Sequence, residues 1–117
     1  MTSASVTATV SPAGPPAGSC GPPATPLDPS LPAARLAELG KALSDPLRVA
    51  LVDLLRRHGA PLCQCELVPL FGVPQSTLSH HARKLADAGL VTVERRHKWA
   101  YYSVRPEALA ELRAWLT

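Results

Sequence analysis

Long apolar runs are missing from this sequence: nowhere do about 18 apolar residues follow one another, the least a membrane-crossing helix needs. The N-terminus also lacks a basic stretch followed by an apolar one, so neither membrane insertion nor secretion is expected. Cysteine is scarce, with three in 117 residues. An odd number always leaves one thiol over, which excludes a disulfide framework and makes a reducing cytosol the expected compartment. Catalytic signatures are absent too. There are no paired carboxylates, no Ser/His/Asp order and no nucleotide loop. A thiol reductase would need an anion-binding loop, and C-Q-C-E-L-V-P at 63–69 has no glycine run to build one. An enzyme is therefore not expected.

Charge is nearly missing from residues 1–32, where Asp28 is the single charged side chain and eight of the thirteen prolines are gathered. Such a stretch cannot offset its ordering entropy by apolar burial, so a disordered or polyproline-like tail carrying Cys20 is expected over 1–32. About 85 residues remain for one small domain, of a size that often completes its core by dimerising.

Residues 33–117 carry helical periodicity. Leu36, Leu39 and Leu43 mark a first helix over 33–43. Ser44 or Asp45 can cap a second, with Pro46 in its first turn and Gly59 at its end. A short apolar segment ends at Gly72, and Pro69 limits it to about two turns. Pro74 opens a longer helix, on which Leu78, Ala82 and Leu85 keep the period and which Gly89 closes. Two helices joined by a tight Gly-Val-Pro turn make a helix-turn-helix candidate. Over 90–104, β-branched and aromatic residues flank Arg95-Arg96-His97-Lys98, the pattern of a β-hairpin with a basic tip. A last helix starts at Pro106. The fold class expected is mainly α with a small β-hairpin (α+β), a winged helix-turn-helix.

The net charge of +3 is a weak pointer to nucleic acid by itself; its distribution is stronger. A major groove admits one helix, read mostly by residues near its N-terminus. Gln75, Ser76, Thr77, Ser79 and His80 fill those positions, all able to hydrogen-bond, with Lys84 further along. Arg95, Arg96, His97 and Lys98 suit phosphate or minor-groove contact. The competing reading makes the serines and threonine caps on a solvated face; the basic hairpin after the helix favours DNA. His80 and His81 project about 100° apart on a helix, so they do not chelate one ion.

Cys63 and Cys65 lie one residue apart at the start of the short helix. Residues i and i+2 on a regular helix do not face each other, so one ion can be gripped only where the backbone is extended or the first turn deforms. A helix N-terminus also favours thiolate. Three readings stay open: a soft-ion chelate, a redox pair, or two small buried apolar residues. A bridge between adjacent-but-one cysteines closes a strained small ring, which leaves Cys20–Cys63 as the other redox pairing.

Together, A-L-S-D-P-L-R at 42–48, L-C-Q-C-E-L at 62–67, Q-S-T-L-S-H-H at 75–81, K-L-A-D-A-G-L-V at 84–91 and R-R-H-K-W-A-Y-Y-S-V at 95–104 resemble the ArsR/SmtB family of metal-responsive winged-helix repressors. The resemblance covers about three quarters of the chain. It implies a homodimer on double-stranded operator DNA, released by an inducer, with DNA contacts at Gln75, Ser76, Ser79 and His80. It also implies a dimer interface from the first and last helices, here Leu36, Leu39, Leu112, Trp115 and Leu116. Arsenite sensors of this family commonly carry C-x-C-x-x-C, but Val68 stands at the third position. Cadmium/lead sensors add cysteines from an N-terminal extension, where this chain has Cys20 alone. Residues 106–117 contain no Asp and no His, so the zinc site of the last helix is lacking. Three thiolates from Cys20, Cys63 and Cys65 suit As(III) or Sb(III) as inducer, with no organic cofactor; a cadmium/lead or thiol-redox sensor is the alternative.

Overall fold

A computed structural model describes residues 20–117. The chain divides into two units, Met1–Leu31 and Pro32–Thr117. Most of the tail expected over 1–32 lies outside the described residues; in its described part Cys20 is exposed and its thiol free.

The second unit runs α1 (Ala33–Ala42), α2 (Pro46–His58), β1 (Leu62–Cys63), α3 (Gln64–Phe71), α4 (Gln75–Asp87), β2 (Val91–Arg96), β3 (Trp99–Val104) and α5 (Pro106–Leu116). Local chemistry explains most boundaries. Asp45 takes the N-cap of α2, its Oδ1 accepting the Leu47 N–H at 2.8 Å. Ser44, the other candidate, instead donates its hydroxyl to the Lys41 carbonyl at 2.6 Å. Helix α3 ends at Gly72 with φ 67°, a left-handed turn that glycine takes without a Cβ clash. Pro74 is the N-cap of α4.

The strands form one antiparallel sheet in the order β1-β3-β2. The β2–β3 hairpin closes through His97 and Lys98, and Val93 faces Tyr102 while Arg95 faces Ala100. Strand β1 is an addition to the sequence expectation: Leu62 pairs with Tyr102 and Cys63 with Tyr101, so the hairpin becomes a three-stranded sheet.

Leu39, Leu51, Leu55, Leu67, Leu78, Leu85 and Leu90 are fully buried at the centre. Burying a leucine side chain contributes about 1.5–3 kcal/mol, and Leu67 of α3 shares this cluster with Leu78 and Leu85 of α4. The burial also corrects the expected interface. Leu39 has no exposed surface and Leu36 keeps 7%, so both already pack within one protomer and offer a partner almost nothing. Helix α5 keeps the expected apolar end outside: Trp115 is 54% and Leu116 72% exposed, with Leu112 half-buried. Arg35 ties α1 to α5, its Nε donating to Glu111 Oε1 at 2.9 Å. That guanidinium holds the Glu111 carboxyl below the usual carboxylate range.

Candidate functional site

Helix α4 divides its polar residues between two directions. Leu78, Ala82 and Leu85 face the core. At 3.6 residues per turn, Ser76, His80 and Arg83 share the opposite, exposed stripe. Arg83 is absent from the sequence expectation, although its spacing of three from His80 and seven from Ser76 marks it. Thr77 is half-buried beside that stripe.

Gln75 and Ser79 lie on the flank that meets α3. The Gln75 Nε2 donates to Gln64 Oε1 at 3.2 Å, and Gln64 Nε2 donates to Ser79 Oγ at 2.6 Å. Gln75 and Ser79 therefore lie on a different face of α4 from Ser76. Gln64, in sequence only the spacer between two cysteines, is 6% exposed and joins the two helices of the motif. Lys84 stands apart as well, lining a cleft of about 300 Å³ with Lys41 and Arg48. His81 is half-buried with an unpartnered Nδ1, its ring edge-on to that of His80 at 5.6 Å.

The wing presents its charges on both faces of the hairpin. Side chains alternate along a strand, so Val93 and Arg95 share a face with their partners Tyr102 and Ala100; the β3 pair is buried there, whereas Val93 and Arg95 stay exposed. Arg96 projects from the other, where its guanidinium lies 4.7 Å from the Tyr101 ring centre and 3.0 Å from Glu94 Oε1. Lys98 sits 5.3 Å over the Trp99 ring. His97 adopts φ 58° to close the turn, a left-handed position that histidine tolerates better than most residues. All four basic-run side chains are exposed.

At the sulfur site, Cys63 ends β1 and is the N-cap of α3, with extended backbone at φ −71° and ψ 140°. Its Sγ accepts the Cys65 N–H at 3.3 Å, while its own N–H donates to Glu66 Oε1 at 2.9 Å. This is a capping box in which a sulfur takes the place of the usual hydroxyl. The strand-to-helix junction turns residues i and i+2 to one side, with Cα atoms 5.2 Å apart and the sulfurs in disulfide contact. The pair meets because Cys63 is extended rather than helical. Cys63 is buried and Cys65 exposed. Among the described residues no three Cys, His, Asp or Glu side chains converge on one point. Thiolates suit soft ions. Cys65 opens on a cleft of about 390 Å³ lined also by Gln64, Val68, Pro69, Gln75, Lys98 and Trp99. Val68, where a third cysteine would stand, therefore borders the same space.

Comparison with known proteins agrees with this architecture. Residues 45–93 match the model of "Bacterial regulatory protein, arsR family". An arsenical resistance operon repressor of Bacillus subtilis is 40% identical over 67 residues, which is 57% of this chain and 63% of that protein. Another, from Staphylococcus xylosus, is 39% identical over 74 residues, 63% of this chain and 69% of that protein. The solution structure of a homodimeric winged helix-turn-helix DNA-binding domain from Mycobacterium bovis, a possible ArsR-family regulator, superposes with a TM-score of 0.60. The two share 26% identity over 79% of this chain and 85% of that one. Five helices, a helix-turn-helix with a basic wing and these matches define a DNA-binding transcription regulator: the chain belongs to the arsR family of bacterial regulatory proteins.

Proposed function

We propose that this chain is a metalloid-responsive repressor. As a homodimer it holds operator DNA through α4 and the β2–β3 wing, and it leaves the operator when As(III) or Sb(III) binds the cysteine thiolates. The observation that carries the reading is the convergence of Cys63 and Cys65 at the N-cap of α3, the helix that supports α4. Trivalent arsenic and antimony form bonds to thiolate sulfur. Reduced, Cys63 and Cys65 supply a pair of thiols on one side of the backbone, one buried and one open to solvent. Cys20, exposed and free, is the third donor, brought by the tail of the same or the partner subunit. Dimer contact falls to the exposed end of α5, at Trp115 and Leu116. Resistance repressors among the relatives support the choice of inducer.

Fluorescence anisotropy on promoter DNA, with arsenite, antimonite, Cd(II), Pb(II) and Zn(II) in parallel, tests this. Arsenite or antimonite is expected to weaken operator binding about 5–150-fold, the usual range of allosteric coupling. Equal affinity with and without them would sink the reading. The C63S/C65S variant is expected to lose the response. An unchanged response in C20S would reduce the site to two sulfurs.

The sulfur contact favours one second reading, a thiol-redox sensor on the same fold. Peroxide would take two electrons and two protons from the Cys63 and Cys65 thiols, giving one disulfide and water. Mass spectrometry after mild peroxide decides it: the loss of two hydrogens must fall on the peptide carrying both cysteines and must change operator affinity.

A further inference from the structure

Gln64 is the only buried polar residue among the described residues, at 6% exposure, and it stands between the two sulfurs in sequence. Its amide spends both ends on α4. The oxygen accepts from the Gln75 side chain at 3.2 Å, and the nitrogen donates to Ser79 Oγ at 2.6 Å. That nitrogen also approaches the Gln75 carbonyl at 3.5 Å. Tyr102 of β3 is buried, and that burial pushes its ionisation up. Tyr102 pairs with Leu62, next to Cys63, and Tyr101 with Cys63 itself. One polar chain therefore joins the cysteine segment to the start of α4, and backbone pairing joins the same segment to the wing strand.

Two facts make this chain a transmitter. Gln64 shares continuous backbone with both cysteines, so drawing the two sulfurs to a common ligand must reorient residues 63–65 together. A buried amide stripped of its partners is costly, so Gln64 either stays bonded to α4 and carries Gln75 and Ser79 with it, or releases both. Coupling between sites needs an element with such discrete arrangements.

We infer that Gln64 is the positioning residue through which occupation of Cys63 and Cys65 resets Gln75 and Ser79 on the recognition helix. The inference rests on the sulfur reading given under Proposed function. A merely structural Gln64 would affect stability and operator affinity but leave the ratio of affinities with and without inducer untouched. A transmitting Gln64 sets that ratio.

The test is Gln64→Met, close in length and without hydrogen-bonding capacity, in the full chain. Arsenite binding is read from the ultraviolet absorption of arsenic–thiolate bonds, and operator affinity by anisotropy. The variant is expected to bind arsenite within about threefold of wild type, while its operator affinity changes less than about twofold, against the 5–150-fold range for wild type. A Gln64→Met variant that releases DNA as wild type does overturns the inference. Should circular dichroism show that the variant does not fold, NMR of wild type decides. Arsenite is expected to shift the Gln64 and Gln75 side-chain amides and the Ser79 backbone amide, and unmoved resonances refute the relay. Wild type that binds arsenite yet keeps its operator refutes the relay while leaving the sulfur site standing. Wild type that binds none refutes both.

Discussion

Replacing Arg95 by glutamine tests whether the wing holds DNA. Arg95 is exposed near the tip of β2, on the hairpin face that also carries Tyr102. The ion pairs of the described residues do not include it, whereas Arg96 is engaged with Glu94. Its charge is thus available to a phosphate. Each phosphate neutralised by a basic side chain contributes about 0.9 to the slope of log affinity against log salt. A dimer has two wings, so Arg95→Gln should flatten that slope by about 1.8. Across a fourfold rise in salt, from about 50 to about 200 mM, wild type should lose about twelvefold more affinity than the variant. Anisotropy titrations at five salt concentrations give the slope directly. Arg57→Gln, with the same change in net charge but located in the last turn of α2, is the control and should leave it unchanged. An Arg95→Gln slope equal to wild type, or an equal change in the control, would refute the phosphate contact and reduce the wing to a carrier of net charge.

Other consequences are open to measurement. Leu78→Ala removes a fully buried side chain from the core face of α4 and should cost about 2–5 kcal/mol, a large share of the ~5–15 kcal/mol that domains of this kind possess. Urea unfolding checks it, and a cost below about 1 kcal/mol would mean that α4 is not anchored there. Trp115→Lys places a charge on the exposed apolar end of α5 and should weaken self-association at least about thirtyfold, as loss of an aromatic anchor does. Analytical ultracentrifugation follows this, and an unchanged monomer–dimer equilibrium would move the interface elsewhere.

Much of the architecture was legible in the sequence because local chemistry sets it. Pro46, Gly59, Gly72, Pro74, Gly89 and Pro106 punctuate the chain through fixed φ, a missing N–H or a permitted left-handed turn, and those constraints do not wait for tertiary contacts. The leucine period and the alternating hairpin are equally local. Strand β1 was not legible, because two residues carry no periodicity and are a strand only by pairing with Tyr101 and Tyr102. The burial of Leu39 within one protomer was not legible for a related reason: spacing marks a helix face as apolar but does not say whether the same chain or a second one covers it.

The candidate sites divide along the same line. The residue types determined that soft-ion or thiol chemistry is available at Cys63 and Cys65, and that α4 and the wing carry hydrogen-bonding and basic groups. Only the tertiary structure decided that an extended Cys63 turns the two sulfurs together, that Gln75 and Ser79 face α3 while Ser76, His80 and Arg83 face outward, and that Gln64 is buried between them. The reason is physical: a side chain's chemistry belongs to the residue, whereas its partners and its exposure to water depend on how distant segments pack.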